Sequence, residues 1–217
     1  MKIGIIGTGA VGQTLGTKLV ELGHEVKMGS RTANNEKAAG WVKAAGGKAS
    51  QGTFSEAAGF AEMIFNCTKG EVSLEALKAA GADNLKGKVL VDVGNPLDFS
   101  KGMPPFLTPA LSNTNSLGEE IQKTFPDTKV VKALNTMNCV LMVNPKLVPG
   151  SHDLFICGND AGAKAKVTEI LIKGFGWPSV MDIGDLTGAR AMEMLLPIWI
   201  RLMGQLKTPN FNFKIVK

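Results

Sequence analysis

Lys2-Ile3-Gly4-Ile5-Ile6-Gly7-Thr8-Gly9-Ala10-Val11-Gly12 opens the chain and decides its fold. Residues 2–6 form a short apolar run that reads as a buried strand, and a glycine turn follows it. A helix comes next, with Val11, Leu15, Leu19 and Leu22 spaced so that one face meets a core. A second short run, His24 to Met28, ends in Gly29-Ser30-Arg31-Thr32. Strand, glycine turn, helix and strand in this order make the arrangement that grips a dinucleotide pyrophosphate. Gly7 permits the tight turn, Gly9 leaves the backbone free to approach phosphates, and Gly12 lets the helix pack closely on its strand. The helix N-terminus offers unpaired N–H groups and a partial positive charge to the anion.

The end of the second run selects the dinucleotide. An NAD site usually places Asp or Glu there, about 20 residues beyond the glycines, to accept from the ribose 2′-OH. Here Ser30-Arg31-Thr32 stands instead, with no carboxylate before Glu36. A carboxylate would repel a 2′-phosphate, whereas a guanidinium fork flanked by two hydroxyls matches its oxygens. Arg31 is one of only three arginines, beside Arg190 and Arg201, in a chain that otherwise uses lysine. The site is read as NADP-selective.

The rest of the chain alternates strand and helix patterns, which argues an α/β fold of Rossmann type: a doubly wound, mainly parallel sheet with a short C-terminal helical extension. One domain is expected over residues 1–217, with 184–217 as C-terminal helix and tail. Further strands are expected at 48–50, 62–67, 88–93, 129–133, 154–157 and 179–182. Thr53-Phe54-Ser55-Glu56 and Ser116-Leu117-Gly118-Glu119 are capping boxes that open helices. Asp160 is expected to cap a helix running to about Lys173. A final helix is expected from about Thr187 to Met203, kinked at Pro197, with Met192, Leu195, Leu196, Trp199, Ile200 and Met203 as an apolar face for core or dimer contact.

From Gly94 to Asn115 the pattern fails. That stretch holds Pro96, Pro104, Pro105 and Pro109 and leaves the carboxyl end of a strand, where open α/β sheets bind ligands. It is read as part of a second-substrate pocket, with an irregular surface connection as the alternative.

At 217 residues and 44% hydrophobic, the chain can bury one substantial core. Its 24 basic and 19 acidic residues are dispersed, so no basic block suggests nucleic acid, and an anionic cofactor accounts for the excess. Cys67, Cys139 and Cys157 fit reduced, mostly buried thiols, with neither a disulfide frame nor a metal spacing. The first strand begins at residue 2, so no leader is expected. The apolar stretch 191–203, broken by Glu193, Pro197 and Arg201, is too short to span a bilayer. A soluble, cytoplasmic protein is expected, without metal or membrane partner.

The glycine turn, Gly29-Ser30-Arg31, Val131-Lys132-Ala133-Leu134-Asn135-Thr136 and Phe155-Ile156-Cys157-Gly158-Asn159-Asp160 together resemble the NADPH-dependent F-420 (F420) reductase family. They are also similar to the cytoplasmic reductase domain of STEAP-type metalloreductases. The likeness covers residue 2 to about 204. It implies hydride transfer between NADPH and a second redox molecule against the nicotinamide: a deazaflavin in F420 reductases, a flavin feeding metal reduction in the metalloreductases. Carried over, it places Thr8, Ala10 and Val11 at the pyrophosphate and Ser30 and Arg31 at the 2′-phosphate. Cys67, Thr68 and Lys69, Asn95, Pro96 and Leu97, and Ala133, Leu134, Asn135 and Thr136 would line the nicotinamide and its partner. A basic residue that F420 reductases often add after the Ser-Arg pair falls at Lys37, displaced by about one position. The transmembrane haem domain of the metalloreductases has no counterpart, so no electron passage across a membrane is expected. A homodimer is implied.

No acid/base pair stands out, as suits a hydride passed between stacked rings, where placement matters more than proton transfer. His24 and His152 are read as structural, Cys67 as packing, and Lys69 and Lys132 as solvated or phosphate-facing, because ordinary lysine is protonated at neutral pH. Three readings stay open. The first is an NADP-dependent oxidoreductase with F420, FMN or FAD as small-molecule redox partner. The second is a reductase of a small carbonyl or imine, of β-hydroxyacid dehydrogenase type. The third is a non-catalytic NADP-binding sensor.

Overall fold

The computed structural model describes residues 1–217. Eight strands form one sheet: β1 (Lys2–Ile6), β2 (Glu25–Ser30), β3 (Ala49–Thr53), β4 (Met63–Asn66), β5 (Val89–Asp92), β8 (Lys129–Ala133), β9 (Phe155–Gly158) and β10 (Met181–Asp182). A two-stranded ribbon of β6 (Leu97–Asp98) and β7 (Phe106–Leu107) stands apart. The sheet order β3-β2-β1-β4-β5-β8-β9-β10 reverses direction between β1 and β4, the switch point where open α/β sheets place a dinucleotide.

Alternation along each strand builds two cores. Ile3, Ile5, Met63, Phe65, Val89 and Val91 face one side, packed by α1 (Ala10–Glu21), α2 (Glu36–Ala45), α7 (Cys139–Val143) and α8 (Ala161–Glu169). Ile6, Ile64 and Leu90 face the other, under α3 (Phe54–Phe60), α4 (Gly70–Ala80), α6 (Leu117–Thr124) and α9 (Gly188–Met194). One short helix, α5 (Ala82–Leu85), leads into β5. Such double-faced burial explains why these strands read as continuous apolar runs. The Thr53 box closes reciprocally with Glu56, and Asp160 caps α8 through the Ala163 N–H at 2.7 Å. At α6, Ser116 Oγ accepts from Glu119 N–H, but the Glu119 carboxylate accepts from the Ser116 hydroxyl and from Arg190 instead of the cap's backbone.

Three details depart from expectation. β9 runs antiparallel to β8, and β10 follows β9, so the parallel sheet ends at β8. A parallel return would need a long crossover helix, whereas residues 134–154 supply only the five-residue α7 and a three-residue 3-10 turn. The stretch 94–115 is less irregular than its prolines suggest, since it holds β6, β7 and a 3-10 turn at 109–111. The expected final helix is two, α9 and α10 (Leu196–Leu206), with Pro197 in the first turn of the second. Proline lacks an N–H and its ring clashes with the carbonyl four residues back, so the helix restarts there instead of bending through it. No helix is long and apolar enough to cross a membrane.

Candidate dinucleotide and acceptor site

The glycine turn does what its spacing implies. Gly7 sits at φ +121°, and a Cβ there would meet the Cys67 carbonyl at 2.8 Å. At Gly12 a Cβ would lie 2.4 Å from Gly7 O and 3.1 Å from Ile5 Cγ2, so α1 can approach β1 only without a side chain. Around Gly9 nothing lies within 4 Å, so its surface is open for a ligand. Gly9 is also the N-cap of α1 and offers no side-chain cap, and the first turn carries no acid. The exposed N–H groups and the dipole are left for an anion.

These features predict a separation of stability from binding. Gly9→Ala should leave stability within about 0.5 kcal/mol of wild type, as for a surface change without clash. If the turn holds a pyrophosphate, the added methyl would intrude on the open space above Gly9, and NADPH affinity should fall at least tenfold in fluorescence titrations. Unchanged affinity would show that the turn holds no pyrophosphate.

Two adjoining cavities share Gly9, Cys67, Thr68 and Lys69. One, of about 500 Å³, runs past Gly7 and Thr8 to Ser30, Arg31, Asn35 and Lys37, with Phe54, Val72 and Ala76 as an apolar wall. The other, of about 360 Å³, adds Ala10, Val11, Val93, Gly94, Asn95, Leu97 and Phe99. A cleft of about 690 Å³ among Glu119, Lys129, Asp160 and Asp185 is larger, but it has one apolar lining residue and lies away from the glycine turn, so it suits no planar ring.

At the first cavity, Arg31 and Lys37 are both exposed and neither forms an ion pair. Lys37 therefore joins the group despite its displaced position in the sequence. Ser30 is nearly buried, and its hydroxyl is turned back on its own loop, donating to Thr32 O and accepting from Thr32 N–H. It shapes the turn that presents Arg31, while the Thr32 side chain is exposed and lines neither cavity.

In the second cavity, Cys67 is half-buried, and burial followed by the Asp92 carboxylate pushes its thiol pKa up, away from nucleophilic use. Lys69 is exposed and 3.9 Å from Glu71. Pro96, Ala133, Asn135 and Thr136, expected as lining, are buried behind the wall. Asn135 Nδ2 donates to Asn95 Oδ1 at 2.8 Å and to Met192 O, while Asn95 Nδ2 donates to Asn135 O at 2.9 Å. The Asn95 side chain is thus fastened to β8's exit, and Asn135 Oδ1 has no protein partner.

Lys132 corrects the reading of a solvated or phosphate-facing side chain. It is fully buried, with Nζ 2.7 Å from Asp92, 2.6 Å from Glu193 and 2.5 Å from Gly94 O. Burial pulls its pKa down, but the two carboxylates outweigh this and hold it above the ordinary lysine value. Asp92 Oδ1 accepts from Asn66 Nδ2 and Gly94 N–H; Glu193 accepts from Leu117 and Gly118 N–H at the start of α6. Asn66 in turn accepts from Thr68 N–H and its hydroxyl, which ties the network to the cavity wall. The sequence signal was a charge inside an apolar run at each of the three positions. His152 is structural as expected, bonded to Pro145 O and Asn212.

A family model described as NADP oxidoreductase, coenzyme F420-dependent, matches residues 2–96. The rat metalloreductase STEAP3 is 34% identical over 206 residues, 91% of this chain, and human metalloreductase STEAP2 is 28% identical over 201 residues, 89% of this chain. The chain spans only 38% and 35% of those two proteins. A structure from Arthrobacter sp. FB24, provisionally described as an F420-dependent NADP-reductase, is 51% identical with a TM-score of 0.93, covering 100% of both chains. A reductive aminase from Aspergillus terreus, in complex with NADPH and ethyl levulinate, shares the fold at 19% identity and a TM-score of 0.68, over 94% of this chain and 62% of that one.

Proposed function

The chain belongs to the coenzyme F420-dependent family of NADP oxidoreductases, and from that premise we propose that it passes a hydride between NADPH and a flat deazaflavin or flavin acceptor. One observation carries the reading: a groove whose two ends differ in chemistry. Its adenosine end pairs the uncapped start of α1 with two exposed cations, Arg31 and Lys37. The other end is walled by Val11, Val93, Leu97 and Phe99 and contains no titratable side chains but Cys67, Lys69 and Glu71.

The residues present fit NADP, because the space above Gly9 is open and the arginine beside it is free. Gly9, Ala10 and Val11 would hold the pyrophosphate, Arg31 and Lys37 the 2′-phosphate, and Thr68 and Asn95 the nicotinamide end. When bound, NADPH supplies the hydride. The chain's own part is to orient the two rings and keep water out, which an apolar pocket does without an acid/base pair. Phe99, half exposed on the β6 turn, adds an aromatic face that the sequence reading passed over. The setting is cytoplasmic, where the three free thiols stay reduced. Two copies pair through α10, which exposes Met194, Ile198 and Leu206 at and beside it.

The test is a turnover panel. Purified protein should oxidise NADPH when given F420, FMN or FAD; turnover only with carbonyl substrates would favour a carbonyl or imine reductase. Tight NADPH binding with no turnover would favour a sensor. In the same assays Arg31→Ala should weaken NADPH by ~1–3 kcal/mol, the range for a charge-assisted contact, and leave NADH unchanged. Equal loss for both cofactors would show that Arg31 does not read the phosphate.

A further inference from the structure

We infer that Lys132 is a positioning residue, fixing the Gly94–Asn95 peptide so that the Asn95 N–H donates to the carboxamide oxygen of a bound nicotinamide. The inference rests on the cofactor reading above and adds to it a specific donor and the buried group that aims it.

The geometry begins with the lysine's three donors. One goes to Asp92, one to Glu193 and the third to Gly94 O, 2.5 Å away. All three partners are sealed from solvent together with it, so the Gly94 carbonyl is pulled toward the protein interior. The preceding peptide is held by the same cluster, since Gly94 N–H donates to Asp92 Oδ1 at 3.1 Å. In a planar trans peptide the C=O and the following N–H point in opposite directions. With Gly94 O turned inward, the Asn95 N–H must point outward, into the cavity that Gly94 and Asn95 line with Val11 and Cys67.

That N–H has no acceptor in the protein. The Asn95 carbonyl, by contrast, accepts from both Gly70 N–H and Leu97 N–H, and the Asn95 side chain is fastened to Asn135. Of the residue's backbone groups only the N–H donor is left for a ligand. A donor-only group on a cavity wall calls for a carbonyl oxygen, and the carboxamide supplies one on the ring that the cavity would receive. The neighbouring Thr68 hydroxyl is already committed to Asn66 and Ser73. The triad therefore sets the plane of the ring from behind the wall, without touching it.

The wild-type protein, labelled with nitrogen-15, tests this directly by NMR. On adding NADP⁺ the Asn95 amide proton should move downfield, and on adding 2′-phospho-ADP-ribose, which lacks the nicotinamide, it should stay. The Gly9 and Ala10 amides should move with both ligands. Movement of Gly9 and Ala10 without Asn95 overturns the inference and leaves the dinucleotide site intact. An equal Asn95 shift with both ligands also overturns it. If Gly9 and Ala10 stay unmoved, the cofactor reading fails and the inference falls with it.

A second arm separates positioning from mere packing. Wild type should bind NADP⁺ roughly three- to tenfold more tightly than thionicotinamide-NADP⁺, whose sulfur is the weaker acceptor. In Lys132→Met/Glu193→Gln, which removes the pull on Gly94 O and one of the two carboxylates it leaves behind, that preference should vanish while affinity for 2′-phospho-ADP-ribose is kept. Retention of the preference in a folded double variant would show that Lys132 does not aim the donor.

Discussion

Replacing Lys132 with Met is expected to lower the unfolding free energy by about 3–5 kcal/mol, the usual cost of breaking a buried ion pair from one side. The substitution leaves Asp92 and Glu193 without their shared cation in a region that water does not reach. Their backbone and Asn66 donors remain and satisfy hydrogen bonds, but they carry no full charge to offset the loss. The sign of the pH dependence follows from Glu193. Burial, and the nearby Asp92 charge, already outweigh Lys132 and hold its pKa above the ordinary carboxylate value. A raised folded-state pKa contributes stability that is fully present below the unfolded value and lost as pH rises through the folded one. Removing the cation raises that value further, so the variant's deficit should shrink toward acid pH and widen toward neutrality. Urea unfolding at several pH values between 5 and 8 checks this. A deficit constant across that window would mean that Glu193 takes up no proton there. Glu193→Gln in the same background should recover part of the loss.

Gly70→Ala should be nearly as damaging, at about 2–3 kcal/mol, for a steric reason. Gly70 begins α4, where intrinsic helix preference alone would favour alanine by about 1 kcal/mol. A Cβ there, however, would stand 2.2 Å from Asn95 O and 2.6 Å from Asn95 C and Pro96 Cα. Every one of these atoms is backbone, so no flexible side-chain end can swing aside. The 95–96 segment must shift, and its Asn95 lines the second cavity. Thermal or urea unfolding should show the loss of stability, and NADPH titration should show weaker binding. The contrast is Gly9→Ala, which meets nothing in the protein. If Gly70→Ala proved as stable as wild type, the close approach of α4 to the Asn95 turn would be wrong.

What the sequence made legible was local or strongly patterned. The glycines of the first turn announce themselves by their spacing: Gly7 takes a positive φ, Gly9 leaves open space, and Gly12 lets the helix close on Gly7 O and Ile5. The Thr53 cap and the Asp160 cap are equally self-contained. The direction of β9 was not legible, because its apolar run reads the same either way; only the shortness of the helices in 134–154 bears on it. The buried triad escaped for a different reason. Asp92 and Lys132 lie side by side in the β5–β8 register, and Glu193 arrives from α9, far along the chain. A lysine inside an apolar strand signals burial but does not name its partners until its neighbours across the sheet are known. The same holds for Asn135, whose motif resembles a lining segment although the fold places it behind the wall.

Reversing one ribbon of the sheet has an effect on what gathers around the groove's rim. Because β9 runs against β8, it is the beginning of β9 that reaches the side where β1, β4 and β5 end. Asp153, just ahead of it, takes Phe213 O and Ile215 N–H as partners, and His152 takes Asn212. Had this strand kept the polarity of the sheet's strands from β1 to β8, residues 211–215 would be stitched to the opposite pole of the molecule. As it is, segments nearly two hundred residues apart in the chain share one hemisphere, and that hemisphere is where the nucleotide would lie.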